Sequence, residues 1–446
     1  MDFISLRSDI SGTVLTPDDD AFGAALFGFA GDGPAVVVRA KSEADVAAAV
    51  RFAAAEALGV AVRSGGHTGP LFSPGPDRLL LELGALNSVT VGDDGIVEIG
   101  PGAVWGDVAS ELQAHGLAIS SGDTASVGVG GLALGGGVGW LVRRDGLALD
   151  SLIGARVVLA SGEIVTASSD QHPELFWALR GGGGNFGVIT SFRFRARPIG
   201  EVLSITVDVD PERLGEALRG WRDAMREAPD ELNATLAVAP NGPPGPDFRL
   251  LHRISACWAG EDSELARAAI APLLSIPGAI DSEVRSVDYR GLLVDLPEAP
   301  EGMAGPPPGI AGRTAMLASL DDAAIDALLD VRAQLGLSVF AVRYLGGAFG
   351  RVPAEATAFA HRDAEVTANI VEFLPPGAPA TAAAITVAWT AVEPFSVGAY
   401  GNFTTETGPR VVATMYPPPT LERLRDVKRS YDPGNLFANN HNVTPA

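Results

Sequence analysis

Two stretches of this chain carry residue types at spacings that could do chemistry. Residues 126–139, SVGVGGLALGGGVG, are half glycine, more than one tight turn needs. Residues 62–67, VRSGGH, end a β-like run in two glycines and a histidine. Glycine-rich backbone can approach a ligand closely and present bare N–H groups. Such groups bind a pyrophosphate well. Two backbone cradles and one nucleophilic imidazole point first to a large phosphorylated cofactor. The competing reading is a glycine-lined packing contact between sheet layers, with His67 a loop histidine whose hydrogen bond is satisfied.

The surrounding elements have to position these stretches. Residues 34–39 read as a short buried strand. Ser42 with Asp45 resembles a capping box and opens an alanine-rich helix over 46–58, closed by Gly59. Residues 60–63 form the next strand, so a βαβ-like opening leads straight into the SGGH loop. Residues 79–83 read as a strand, then Gly92-Asp-Asp-Gly95 as a hairpin turn with 96–99 as its partner. A helix over 104–115 precedes the glycine stretch; a hairpin at Ser161-Gly162 and a helix over 173–180 follow it. Gly182, Gly184 and Gly187 match G-x-G-x-x-G, but that pattern needs a strand before it and a helix after it. Here a helix precedes, and 188–195 alternates as a strand. A nicotinamide-type Rossmann site fails on context, and a glycine-rich cofactor contact of another kind survives.

Beyond Pro198 the texture changes. Helices over 211–227, 264–274 and 320–335 are interspersed with strands over 248–258, 338–344, 364–373 and 384–391, and 297–308 is a proline–glycine loop. Residues 200–395 read as an α+β block with an antiparallel sheet and helices packed on it.

At 446 residues the chain is too long for one ordinary core. A formal charge of −22, lysine only at Lys41 and Lys428, and scattered arginines argue against a nucleic-acid partner. The single cysteine, Cys257, excludes an intrachain disulfide and a multi-cysteine metal site; within RISACWAG it reads as a buried thiol. No basic start followed by an apolar block marks a signal peptide. The long uncharged stretches 124–142 and 373–392 are broken by glycines and by Pro375, Pro376 and Pro379, so neither is a membrane span. The expectation is a soluble cytoplasmic protein without a metal or membrane partner.

Five segments together resemble the FAD-linked oxidases of the vanillyl-alcohol oxidase superfamily, in its berberine-bridge-enzyme-like branch. They are VRSGGH (62–67), SVGVGGLALGGGVGWLVRRDGLALD (126–150), ELFWALRGGGGNFGVIT (174–190), YGNF (400–403) and YDPGNLFANNHNV (431–443), in the family's order. The resemblance spans nearly the whole chain and is weak over 200–395. It implies an α+β fold: a two-part FAD-binding domain over 1–198, a substrate domain with an antiparallel sheet over 199–395, and a C-terminal segment, 396–446, returning to the first. It implies FAD bound by Arg63, Ser64, Gly65, Gly66, His67 and Thr68, with His67 carrying the flavin covalently. Thr124, Val127, Gly128, Gly131, Gly137, Gly139, Asn185, Gly187, Ile189, Asn402, Asn440 and Asn442 complete the implied cofactor contacts. One departure is informative. Bicovalent members carry a second, cysteinyl link just before the glycine stretch; here Thr124 or a neighbour stands there, so that link is excluded.

The resemblance further implies that the flavin accepts a hydride from a small-molecule substrate and is reoxidised by O2. The protein must then hold a C–H bond in place and remove a proton. Tyr400, opening YGNF, is the first catalytic candidate, with a packed aromatic as its alternative reading. Tyr344, Glu372 and Glu393 are further candidates, and His361 in FAHRDA reads as structural. The substrate domain suggests a secondary-metabolite substrate by analogy of fold. A flavin-bearing drug-binding or resistance protein is the alternative function.

Overall fold

The computed structural model describes every residue except 27, 28, 30, 32, 243–246, 296–308 and 375–383. The proline–glycine loop expected at 297–308 and Pro375, Pro376 and Pro379 lie outside the described residues.

The N-terminal part is built from two sheets. A four-stranded sheet has the order Thr13–Leu15, Val36–Arg39, Arg78–Glu82, Gly59–Arg63. Arg78–Glu82 runs parallel to both of its neighbours. Helix Glu43–Ala55 is the crossover that carries the chain from Val36–Arg39 to Gly59–Arg63, which flank Arg78–Glu82 on either side. Ser42 accepts from the Asp45 backbone N–H and fixes where that helix begins. A second, five-stranded antiparallel sheet has the order Val89–Val91, Ile96–Ile99, Val188–Arg195, Leu152–Val158, Ile164–Ser168.

The rest of the chain builds an eight-stranded antiparallel sheet. Its order is Ala279–Val287, Val202–Val209, Leu250–Trp258, Leu232–Pro240, Ser338–Tyr344, Val366–Leu374, Gly309–Leu317, Ser396–Gly398. Helices Leu214–Glu227, Ser263–Leu274 and Asp322–Ala333 cover one face, burying Leu218, Trp221, Ile270, Ile325 and Leu328 against Ile205, Leu236, Ile254, Val342 and Ile370. The opposite face looks toward the glycine segments. The fold is α+β, as the sequence predicts.

Three local readings need correction. The strand paired with Ile96–Ile99 across the Gly92–Gly95 turn is Val89–Val91; Arg78–Glu82 belongs to the other sheet. Residues 384–391 are helical, as Ile385–Ala388 and a 3-10 turn Trp389–Ala391, because Ile385, Ala388 and Trp389 meet the core at helical rather than alternating spacing. The glycine stretch also contains a helix, Val129–Gly135. Glycine disfavours helix by about 1 kcal/mol per residue. Burial of Val129, Ala133 and Leu134 in the core beside the five-stranded sheet overrides that preference here.

Candidate active site

The histidine loop leaves strand Gly59–Arg63 with its first two side chains already engaged. Arg63 pairs with Glu82 and donates from Nη2 to the Ala25 carbonyl at 2.7 Å. Ser64 Oγ donates to the Pro101 carbonyl at 2.5 Å. Beside them a cavity of about 230 Å3 is lined by Arg39, Ala40, Arg63, Ser64, Glu82, Gly84 and Ala85. Gly65 lies so close to Gly128 that a methyl group on either would strike the other's backbone. Gly66 has φ +73°, a conformation that favours glycine. The turn delivers His67 to the surface with Nε2 3.0 Å from Ser126 Oγ. In the tautomer whose Nε2–H donates to Ser126 Oγ, Nδ1 carries the ring's lone pair. Partial burial holds the imidazole below its ordinary pKa against the opposing effect of Ser126, which keeps it neutral.

The glycine helix begins directly beside this loop. Val129 N–H donates to the Ala103 carbonyl, while the N–H groups of Gly130 and Gly131 have no acceptor among the described residues. Gly131 is exposed, and a Cβ there would meet no atom within 4 Å. His67, Thr68, Ser126 and Gly131 are all exposed around the start of this helix. Val127 turns its carbonyl to the Trp105 N–H.

At the far end of the helix, Gly135 abuts Asn402 and Gly136 abuts the Tyr400 ring. Tyr400 is buried among Val138, Met316, Phe349 and Phe359. Its hydroxyl accepts from the Gly137 N–H at 2.9 Å and from Asn402 Nδ2 at 2.9 Å. Burial pushes this phenol above its usual value; the two donors pull the other way. Gly139 sits against the Ser121 backbone with no space for a side chain, so it is a packing glycine.

The C-terminal tail closes the site. Lys428 Nζ, fully buried, donates to Asp432 at 2.6 Å, to the Asn185 carbonyl at 2.7 Å and to the Phe437 carbonyl at 3.1 Å. Asp432 in turn accepts from the Leu436 and Phe437 N–H groups. The tail held in this way reaches three of the glycine-bearing segments. Asn439 Nδ2 donates to the Phe72 carbonyl at 2.7 Å, Asn440 Nδ2 to the Gly184 carbonyl at 3.0 Å, and His441 Nε2 to the Gly401 carbonyl at 3.0 Å. Three consecutive residues keep a buried atom without a partner among the described residues: Asn440 Oδ1, His441 Nδ1 and Asn442 Oδ1.

Residues 34–168 match the family model of an FAD-binding domain, and residues 399–444 match the berberine and berberine-like model. The chain is 31% identical to (R)-6-hydroxynicotine oxidase of Paenarthrobacter nicotinovorans, over 98% of this chain and 97% of that one. The chain belongs to the berberine-bridge-enzyme-like FAD-linked oxidoreductases. The crystal structure of 6-hydroxy-D-nicotine oxidase from Arthrobacter nicotinovorans superposes with a TM-score of 0.83 at 27% identity, covering 98% of both chains. A glucooligosaccharide oxidase from Acremonium strictum, titled for its 6-S-cysteinyl, 8α-N1-histidyl FAD, shares the fold, with a TM-score of 0.82 at 24% identity over 99% of both chains.

The residues present fit the family's cofactor. Gly130 and Gly131 offer unpaired donors at the open end, where a phosphate brings acceptors. Asn440 Oδ1, Asn442 Oδ1 and His441 Nδ1 offer acceptors at the closed end, of the kind that ribityl hydroxyls and a flavin N–H would need. A dinucleotide with a flavin at one end carries both kinds of group.

Other family-implied residues also make contacts within the protein. Asn185 spends its amide on the Gly182 and His441 carbonyls and the Val443 N–H, so its side chain anchors the tail. Gly187 permits close approach to Val157 and Val158, and Ile189 is buried in the strand core. Thr124 bridges to Val294, beside the Asp123–Arg343 ion pair of 2.6 Å.

Of the four catalytic candidates only Tyr400 comes to the site. Tyr344 and Glu372 stand on the helix-covered face of the large sheet. Tyr344 packs on Trp221 and bonds Glu365 at 3.3 Å, and Glu372 accepts from the Ile385 N–H. Glu393 lies exposed on a 3-10 turn. Strand alternation is the reason for the first two: Val342 and Tyr344, like Ile370, point into the helix-side core, leaving Arg343 and Asn369 on the other face.

Asn369, with Ala341 and Thr314 as cross-strand neighbours, is half-buried, and its side-chain amide has no hydrogen-bond partner among the described residues. The strand's alternation of apolar and polar residues was the available signal for it. Ser126 and His441 were also missed as site residues. Ser126 opens the glycine stretch as its lone polar residue, whereas nothing in the sequence distinguishes His441 from the asparagines around it.

Proposed function

We propose that this FAD-dependent oxidoreductase oxidises a small organic substrate at a C–OH or C–N bond, with FAD attached through His67 and O2 as the electron acceptor. The observation that carries this reading is the convergence of a neutral His67, an open glycine helix and a buried, doubly hydrogen-bonded Tyr400 on one cradle. FAD, when bound, supplies the acceptor for the hydride.

His67 Nδ1 is the nucleophile for attachment. Ser126 orients the ring and holds Nε2 out of the way, and the lowered pKa keeps the nitrogen unprotonated at neutral pH. Gly130 and Gly131 would hold the phosphates with their unpaired N–H groups. The tail acceptors hold the opposite end.

Tyr400 takes the proton leaving the substrate's O–H or N–H. Its two donors, Gly137 N–H and Asn402 Nδ2, stabilise the phenolate form that accepts it. The roof above is the open face of the eight-stranded sheet, where Asn369 offers a free amide beside Ala341. A few placed polar groups among apolar walls suit a small molecule.

The test has two arms. Wild-type protein precipitated in acid should retain flavin in the pellet, and His67→Ala should release all of it; complete release from wild type ends the covalent assignment. An aerobic panel of alcohols, amines and aromatic metabolites should yield hydrogen peroxide with at least one. Anaerobic flavin bleaching without peroxide in air would instead identify a dehydrogenase.

A further inference from the structure

The eight-stranded sheet is finished at one edge and open at the other. The strand Ser396–Gly398 at one edge is three residues long. The strand Ala279–Val287 at the other is nine residues long and, among the described residues, pairs only with Val202–Val209. Every residue from Ile280 to Ser286 is exposed, so this strand is bare on both faces as well as along its edge. A long strand with an unpaired edge is a ready template for another strand. Ile280 is 68% exposed and Val284 44%, and Leu274, ending the preceding helix, adds a third exposed apolar side chain.

The strand's sequence says what can cover it. Val284 lies opposite Ile205 and Ser282 opposite Val207, two residues of the helix-side core, so Val284, Ser282 and Ile280 share that side. Asp281, Glu283 and Arg285 share the other side. A second copy related by a twofold axis perpendicular to the sheet keeps these faces aligned, and residues opposite one another then share a parity. Centred on Val284, this pairing sets Glu283 opposite Arg285 twice, Ser282 opposite Ser286 twice, and Val284 against itself. Centred on Glu283 it opposes two glutamates, on Arg285 two arginines, and on Ser282 it sets Asp281 against Glu283. Only the register about Val284 has attraction without a like-charge pair among these four. Opposite charges directly across a strand pair stabilise it, and like charges destabilise it.

We propose that the chain forms a homodimer through Ala279–Val287, antiparallel about Val284, joining the two large sheets into one. Its surface is remote in sequence from the glycine segments and independent of the flavin chemistry.

Light scattering coupled to size-exclusion chromatography reads the mass directly. Wild-type protein should elute at twice the chain mass at concentrations up to ~50 μM, and partly dissociate in high salt as the ion pairs are screened. Glu283→Arg sets two arginines against two arginines and should give a monomer with unchanged circular dichroism and flavin content. The double swap Glu283→Arg with Arg285→Glu restores opposite charges and should restore the dimer. A wild-type monomer across that range overturns the proposal. So does a dimer that survives Glu283→Arg, which would lie on another surface, or a double swap that stays monomeric.

Discussion

Tyr400 is buried as a core aromatic would be, yet its hydroxyl is not spent as a core hydroxyl would be. Both of its hydrogen bonds are accepted, from Gly137 N–H and Asn402 Nδ2, so its own proton has no acceptor among the described residues. Removing that oxygen while keeping the ring separates packing from chemistry. Tyr400→Phe should lower turnover by about 10²–10⁴-fold, the span of a lost acid–base group. The flavin content and spectrum should stay unchanged, because Asn402 keeps its reach to the Leu132 carbonyl. Wild-type turnover in this variant would return Tyr400 to the aromatic cluster. Burial raises the phenol's pKa, so the proton-accepting form grows with pH. With the phenol held above its ordinary value of 10, kcat/KM should climb steadily from about pH 6 to about pH 10 without levelling off, and Tyr400→Phe should lose that climb.

Elements matter here through how closely they approach. The glycine helix offers a controlled comparison. Gly131→Ala adds a methyl that meets no protein atom, in a helix where alanine is preferred by roughly 0.5–1 kcal/mol. Stability of the apoprotein should hold or rise slightly, measured by urea denaturation. Flavin retention should fall, because the methyl fills that open space. Equal retention would remove Gly131 from the cofactor's path.

The C-terminal helix and tail act through one buried ion pair. Lys428→Met leaves Asp432 buried without its cation. The cost should be about 3–5 kcal/mol, the usual penalty for breaking rather than replacing a buried pair. Because Lys428 also holds the Asn185 and Phe437 carbonyls, the variant should release flavin more readily than its stability loss alone explains. A loss of unfolding free energy below about 1 kcal/mol would show that the pair is not structural.

Across the whole molecule, buried histidines couple its parts to pH. His361 bonds the Met415 and Thr414 carbonyls, and His441 bonds Gly401. Burial lowers both below the ordinary histidine value, against the smaller opposing effect of those carbonyls. The sign follows from linkage: a folded pKa below the unfolded one means the unfolded chain binds more protons in acid. Their contribution to stability is complete above the unfolded value of about 6.5 and is lost as pH falls below it. The urea midpoint should be lower at about pH 5.5 than at about pH 7.5, and His361→Gln should flatten part of that difference. An identical midpoint in wild type and variant at both pH values would exclude His361 from this coupling.

The sequence alone determined the chemistry-bearing segments, their order and the fold class, because each rests on local features. A glycine at positive φ, a capping serine before a helix and the alternation of strand residues are all set by neighbours in the chain. Cys257, buried with its thiol pushed up to about 12, was legible from its apolar run for the same reason. The helix within the glycine stretch was not, since glycine's own preference opposes it and only burial of Val129, Ala133 and Leu134 decides it. Which face of a strand meets the cradle was equally hidden. Tyr344 and Glu372 have suitable side chains, and an alternation of one residue turns them into the helix-covered core while presenting Arg343 and Asn369 instead. The partners of His67 and His441 are the most distant case: Ser126 is 59 residues away and Gly401 is 40. Contacts at such separations are fixed by how the sheets pack, not by any pattern in the intervening chain.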